Sequence, residues 1–249
     1  MPKTFTDQLR ALGVQPGGTV LMHSSMKALG TNQTPGAFLR ELIGALGPEG
    51  TLLLPALTYE SVSPKQPLFS ARESEPCVGL LPRTFFRMEG VVRSLHPTHS
   101  VCAYGKRAEE LTARHALDDT PVGPHSPFML LAACGGKLLF VGDVLDACTF
   151  MHGIEEIAGA PYTLAEGRVR FIVEDIDGNR TPRDMIVHDF RGWEQAYHRV
   201  RDILAYPAIR TGKVGKADCT LIDAAALAEK ALEKLREDVY YFVYRSEGA

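Results

Sequence analysis

The sequence predicts an α/β protein: a mixed sheet core flanked by helices, with an antiparallel hairpin added near residues 168–190. Three observations carry this expectation. Short apolar runs at 19–22, 51–55 and 137–142 have the length and composition of buried strands. The first two are separated by a helical period, the order of a crossover unit in an α/β sheet. Two β-rich runs, 168–176 and 184–189, flank the turn dipeptide Asp177-Gly178, the usual signal for a hairpin.

Each element follows in order. Phe5, Leu9 and Leu12 stand at helical spacing, and Gly17-Gly18 ends the pattern. Thr34-Pro35 is an N-cap followed by proline at the first helical position. Phe38, Leu39, Leu42, Ile43 and Leu46 then make one face, stopped by Gly47. Residues 58–79 carry proline, serine and charge without periodicity and read as a long loop, often a functional one. Short helices are expected at 81–88, 106–115 and 127–134, with a strand at 100–104. A helix begins near Thr149 and runs to about 158. Farther on, 193–204 reads as helix, 209–214 as strand and 220–236 as an alanine-rich amphipathic helix. No internal repeat or linker interrupts the 249 residues, which read as one domain spanning 1–249.

The composition, 45% hydrophobic and 23% charged, is that of a globular protein. A formal charge of −3 gives no broad electrostatic basis for binding nucleic acid or an anionic membrane, and it suits a cationic substrate. The first 18 residues lack the basic start and apolar core of a signal peptide. No run of about 18 apolar residues is present. Five scattered cysteines without a CxxC pair predict reduced thiols and a cytoplasmic location.

The densest set of reactive groups is 146–156, DACTFMHGIEE, just after the strand KLLFVG. Sites in α/β folds collect at such strand ends. On a helix, Thr149, His152 and Glu155 or Glu156 share a face. A hydroxyl, an imidazole and a carboxylate there fit acyl transfer to an amine. The imidazole takes the amine proton, the carboxylate orients it, and the hydroxyl or a helix-start N–H stabilises the oxyanion. Chance spacing in a packed helix explains the same pattern. Two rival chemistries share these residues: a covalent thiol–imidazole pair of Cys148 with His152, and a zinc site of Cys148, His152 and Glu156.

Three further segments hold polar groups. His23-Ser24-Ser25-Met26-Lys27 follows a strand and suits a phosphate or amide ligand, or is an ordinary serine-capped turn. Arg93-Ser94-Leu95-His96-Pro97-Thr98-His99-Ser100 reads as a catalytic loop or a turn locked by hydroxyls. Asp118-Asp119-Thr120 and His125-Ser126 read first as caps.

Seven pieces in order, VLMHSSMKALG (20–30), GTLLLPALTY (50–59), GLLPRTFF (79–86), VRSLHPTHSVCAYG (92–105), PHSPFMLL (124–131), GGKLLFVGDVLDACTFMHGIEE (135–156) and GKVGKADCTLIDAAAL (212–227), resemble the antibiotic N-acetyltransferase family, known for aminoglycoside 3-N-acetyltransferases. The resemblance implies the family's α/β sandwich and transfer of acetyl from acetyl-CoA, with no metal, to an amino group of an aminoglycoside or related amino sugar. It implies His152 as general base, Glu155 as its orienting partner and Thr149 as a hydroxyl near the thioester. It implies coenzyme contacts at His23, Ser24, Ser25, Lys27 and Ser100, and an acceptor side at Asp146, to which Glu156 is added as the adjoining acid. The expected partner is a small-molecule amine, with a homodimer possible and neither nucleic acid nor membrane involved. Cys148 departs from the asparagine of many relatives, the chain is somewhat short for the family, and 60–78 lacks a clear family pattern. A non-antibiotic amine as acceptor, or coenzyme A binding without aminoglycoside chemistry, therefore stays open beside this expectation.

Overall fold

A computed structural model describes residues 4–246. Helix α1 (Phe5–Leu12) starts where Thr4 and Asp7 cap each other: the Asp7 N–H donates to Thr4 Oγ1 at 3.1 Å and the Thr4 N–H to Asp7 Oδ2 at 3.0 Å. The crossover unit follows as β1 (Thr19–Ser24), α2 (Pro35–Leu46) and β2 (Thr51–Pro55), with β1 and β2 parallel and Leu21 beside Leu53. Thr34 caps α2, accepting the Ala37 N–H at 3.2 Å. Next come β3 (Leu68–Ser70), α3 (Leu80–Phe86), β4 (Val92–Arg93), β5 (Val101–Gly105), α4 (Ala108–Thr112), α5 (Pro127–Ala133), β6 (Lys137–Val141) and α6 (Thr149–Ala158). The last part holds β7 (Val169–Glu174), β8 (Arg180–Met185), β9 (Trp193–Gln195), α7 (Val200–Ile203), β10 (Ile209–Val214), β11 (Ala217–Asp223), α8 (Ala224–Glu237) and β12 (Val243–Arg245).

The main sheet has seven strands in the order β10-β11-β6-β1-β2-β5-β4. Its centre, β6-β1-β2, is parallel and its flanks are antiparallel, so the sheet is mixed as the sequence predicts. The parallel strands are buried on both faces, which is why they read as continuous apolar runs. Successive side chains enter opposite cores. Leu21, Leu53, Leu138 and Phe140 join Phe128, Phe150, Ile154 and Leu227 of α5, α6 and α8. Met22, Leu52, Leu54 and Leu139 join Leu9, Phe38, Leu42 and Phe85 of α1, α2 and α3. The result is a sheet between two helical layers.

The added hairpin is β7–β8, with Val173 opposite Thr181. Its turn is fastened by Asp175, whose Oδ1 accepts the N–H groups of Asp177 and Asn179, both at 2.9 Å. The stretch 58–79, read as loop, contains β3, which pairs parallel with β7.

Several boundaries differ from the sequence reading. Residues 193–195 are strand, not helix, because Val243–Arg245 supplies an antiparallel partner. There the Trp193 indole stacks on Tyr240 at 4.8 Å, with the Arg245 guanidinium 4.0 Å from its ring centroid. Only 197–203 is helical. Residues 220–223 belong to β11, between β6 and β10, with Thr220 beside Phe140. The helix starts at Ala224, four residues later than expected, because Asp223 Oδ1 accepts the Ala226 N–H at 2.9 Å and caps it. The second hairpin strand runs 180–185 rather than 184–189, and His188 makes only an isolated bridge with Leu164.

Two glycines position the reactive segment. After β6, Gly142 adopts φ +94°, and a Cβ there would stand 2.9 Å from Ala28 Cβ and 3.3 Å from Ser25 Cβ. The turns after β1 and β6 thus meet, fastened by the Ser25 N–H donating to Val141 O at 2.8 Å. Within α6, a Cβ on Gly153 would collide with Met129 Sδ and stand 2.7 Å from Val122 Cγ1. Gly153→Ala is therefore expected to destabilise by about 1–3 kcal/mol, despite alanine's better helix propensity. Thermal melting checks this, and an unchanged Tm would show that α6 has room.

Candidate active site

His152 stands one turn into α6, in a cleft of about 450 Å³ whose wall includes Tyr59, His99, Asp146, Thr149, His188 and Phe190. A larger cavity of about 610 Å³ lies by β4 and includes Phe86, Arg93 and Cys102. No imidazole lines that cavity, so the smaller cleft is the candidate site.

His152 Nδ1 lies 2.7 Å from Tyr197 Oη and 3.4 Å from Glu155 Oε2. The Tyr197 hydroxyl donates to Glu155 Oε2 at 2.7 Å, and Tyr162 donates to Glu155 Oε1 at 3.0 Å. Glu155 is fully buried, so its carboxylate relies on these two phenols. Burial and the Glu155 charge push both phenols up, so they stay protonated donors. With its own proton committed to Glu155, Tyr197 Oη accepts from His152. That assigns the imidazole proton to Nδ1 and leaves Nε2 as the lone pair, the arrangement a general base requires. Glu155 therefore orients His152 chiefly through an interposed phenol, the direct contact being long.

Thr149 lies three residues before His152, lines the same cleft and is nearly buried. Asp146 lines the cleft too, while its Oδ1 accepts the His198 N–H at 2.9 Å and lies 3.0 Å from His198 Nδ1. The loop 58–79 reaches the cleft through Tyr59 and Val78.

His23 closes β1, its ring stacked on Phe140 at 5.3 Å. Burial, with His152 nearby adding repulsion, pushes its imidazole down to about 3, so it is neutral. His23 Nε2 and Ser24 Oγ are buried without hydrogen-bond partners among the described residues. Two such groups near His152 suit a ligand with amide or carbonyl atoms, such as a pantetheine arm. Ser25 is half-buried and Lys27 exposed on the same turn.

Two of the expected site residues lie outside the wall of the cleft. Glu156 does not line the cleft: its Oε1 sits 2.8 Å from His188 Nε2 and accepts the Val122 N–H at 2.9 Å. Ser100 is fully buried, donating to Ala56 O at 2.8 Å and accepting from Arg93 Nε at 3.0 Å. It fixes the wall behind the cleft rather than lining it. Arg93 is half-buried between the rings of Phe69 and Phe86, each 4.8 Å away, and also donates to Ser74 O and Ala56 O. The 96–99 turn is locked by an imidazole as well as hydroxyls: His96 Nδ1 accepts the N–H groups of Thr98 and His99 at 3.2 and 2.9 Å. Asp118 accepts the His125 N–H, as a cap does.

The rival chemistries lose their geometric basis. Cys148 is buried and its thiol is pushed up to about 12 by desolvation, far from the thiolate a covalent relay needs. Among the described residues no group of three His, Cys, Asp or Glu side chains is arranged to hold a metal ion.

The sequence profile described as aminoglycoside 3-N-acetyltransferase matches residues 21–236. The chain belongs to this family. It is 33% identical to aminoglycoside N(3)-acetyltransferase VII of Streptomyces paromomycinus, over 92% of this chain and 89% of that protein. The structure of aminoglycoside acetyltransferase AAC(3)-IVa, a His-to-Ala variant in complex with a gentamicin, superposes with a TM-score of 0.81 at 28% identity, covering 97% of this chain and 92% of that one. The binary complex of AAC-IIIb with CoASH gives 0.78 at 28% identity, covering 94% and 95%. The family's α/β sandwich is thus the fold of this acetyltransferase, as its sequence predicts. Tyr197, Tyr162 and His188 complete the site from segments with no motif of their own. The one sequence signal was indirect: a buried carboxylate at 155 needs donors, without saying which.

Proposed function

We propose that this chain transfers acetyl from acetyl-CoA to an amino group of an aminoglycoside or related amino sugar. The observation that carries the reading is the Glu155–Tyr197–His152 chain beside the cleft, which engages His152 through Nδ1 and leaves Nε2 outside that chain. His152 accepts the amine proton as nitrogen attacks the thioester carbonyl, and returns it to the departing thiolate. Thr149 and the N–H groups at the start of α6 stand where an oxyanion needs donors. Asp146, with the acidic net charge, favours a polycationic acceptor. His23, Ser24, Ser25 and Lys27 hold the coenzyme. Support comes from their meeting with the β6 turn and from the two unpartnered polar atoms there. The CoASH and gentamicin complexes of two relatives support the same pair of substrates.

The two cores that share one sheet support a single domain, and five free cysteines support a cytoplasmic setting. No helix among the described residues is long and apolar enough to cross a membrane.

The test is release of free thiol from acetyl-CoA across a panel of aminoglycosides and simple amines. Release with at least one aminoglycoside is expected. Thermal stabilisation by acetyl-CoA with no release from any amine would reduce the protein to a coenzyme binder.

A further inference from the structure

Asp146 is the one carboxylate that lines the cleft among the described residues. An acceptor amine arrives as a cation, so the cleft's attraction for it rests on this side chain. Asp146 stands on a short 3-10 turn, Leu145–Ala147, and its side chain is 54% exposed. An open aspartate visits several rotamers unless something holds it, and ordering it at the moment of binding weakens the complex.

His198 holds it, through two donors. The His198 backbone N–H donates to Asp146 Oδ1 at 2.9 Å, and the ring Nδ1 lies 3.0 Å from Oδ1 and 3.2 Å from Oδ2. Carboxylate oxygens accept, so Nδ1 carries the proton. The backbone donor fixes one oxygen and the ring donor fixes the tilt of the carboxyl plane. A carboxylate has about four lone-pair directions, so an ammonium still finds a free one. The His198 side chain is 48% exposed, and a pair as open as this adds little to stability. Its place in the chain gives it a second meaning. His198 belongs to the 3-10 turn Tyr197–Arg199, directly after the phenol that meets His152 and Glu155. Tyr197 is fully buried and His198 exposed, so neighbouring side chains of one turn reach two different cleft residues, the base and the acid.

We propose that His198 is a positioning residue for the acceptor amine. It sets the Asp146 carboxylate before the substrate arrives, and the 197–199 turn fixes the spacing between the group that receives the ammonium and the group that deprotonates it. Tyr197 acts on the rate through His152, whereas His198 acts on acceptor binding through Asp146. This inference rests on the acetyltransferase reading above and adds to it a residue that touches neither substrate.

The test compares His198→Ala with His198→Asn, whose Nδ2 sits as far along the side chain as the ring Nδ1 and donates in its place. The backbone N–H survives in both, so the ring bond alone is read. Thiol release gives kcat, the KM for an aminoglycoside and the KM for acetyl-CoA, with the melting temperature as control. Alanine is expected to raise the aminoglycoside KM about 3–10-fold, the factor for one side chain that must be ordered on binding. The change in kcat and in the acetyl-CoA KM should be far smaller, the pattern of lost ground-state binding. Asparagine should restore most of the acceptor affinity. In an Asp146→Ala background, alanine at 198 should add nothing, because the two residues act as one pair. An unchanged acceptor KM, a loss confined to kcat, no rescue by asparagine, or the same factor in the Asp146→Ala background overturns the proposal. If alanine at 198 melts early, Asp146→Ala alone carries the test: the acceptor KM must rise, and an unchanged value overturns the proposal. All of these outcomes leave the acetyltransferase reading in place as long as the wild type turns over. A wild type that releases no thiol with any aminoglycoside removes that reading, and this proposal with it.

Discussion

Alanine at position 152 is expected to lower acetyl transfer by about 10²–10⁴-fold, the usual contribution of a positioned general base. The physical reason is specific to this network. Glu155 is fully buried and its two oxygens are held by Tyr197 and Tyr162, so it cannot reach the cleft to substitute as base. His99 and His188 line the same cleft, but burial holds both imidazoles well below their ordinary range. The fold should survive, because Tyr197 keeps its bond to Glu155 when the ring is removed. Steady-state thiol release and a melting curve check both halves. Turnover within a factor of about three of wild type would remove His152 from the role assigned to it. Tyr197→Phe separates orientation from basicity: it leaves Nε2 in place but frees the ring, so its loss of rate should be smaller than that of alanine at 152. It should also cost stability, since Glu155 Oε2 loses its donor, about 1–3 kcal/mol for an unsatisfied buried group.

The second large effect is expected in acid. His23, His96, His99, His115 and His188 are all buried, and desolvation depresses each folded-state pKa, to about 3 for His23 and His115. In the unfolded chain each titrates near 6.5. Below that pH the unfolded state binds protons that the native state does not, so stability is present above pH 6.5 and falls as pH drops toward the folded values. At pH 5 His23 and His115 each contribute a loss of about 2 kcal/mol, and His96, His99 and His188 add to it in the same direction, a substantial part of the stability of a typical domain. Glu156 and Asp118, whose carboxyls burial pushes up, act in the opposite direction but are outnumbered. Circular dichroism melts between pH 8 and pH 4.5 should show a steep decline beginning near pH 6.5. A Tm that stays level from pH 7 to pH 5 would mean that these rings are hydrated in solution.

How far the sequence could be read depends on the range of the interactions involved. The strands β1, β2 and β6 were legible because burial on both faces leaves an unbroken apolar run. Helix α2 was legible because its cap, its apolar face and its stop are local. Thr149 and His152 were legible as one set because helical spacing puts them on one face with Glu155 or Glu156, and the family resemblance singled out Glu155. The misread pieces all depend on distant partners. Residues 193–195 have helical composition but find a strand at 243–245. Residues 220–223 look like the start of a helix until β6 and β10 enclose them. Ser100 and Glu156 carry the right chemistry for a site, but the chain uses their oxygens elsewhere.

The sequence by itself determined the family, the order of the core elements and the helix that carries the reactive imidazole, because each is encoded by neighbours a few residues apart. Only the tertiary structure decided which nitrogen of His152 is free and that a phenol from residue 197 stands between it and Glu155. It alone also paired Glu156 with His188. Those choices are hydrogen bonds between groups 32 to 45 residues apart in the chain, and no periodicity or local propensity records a contact of that kind.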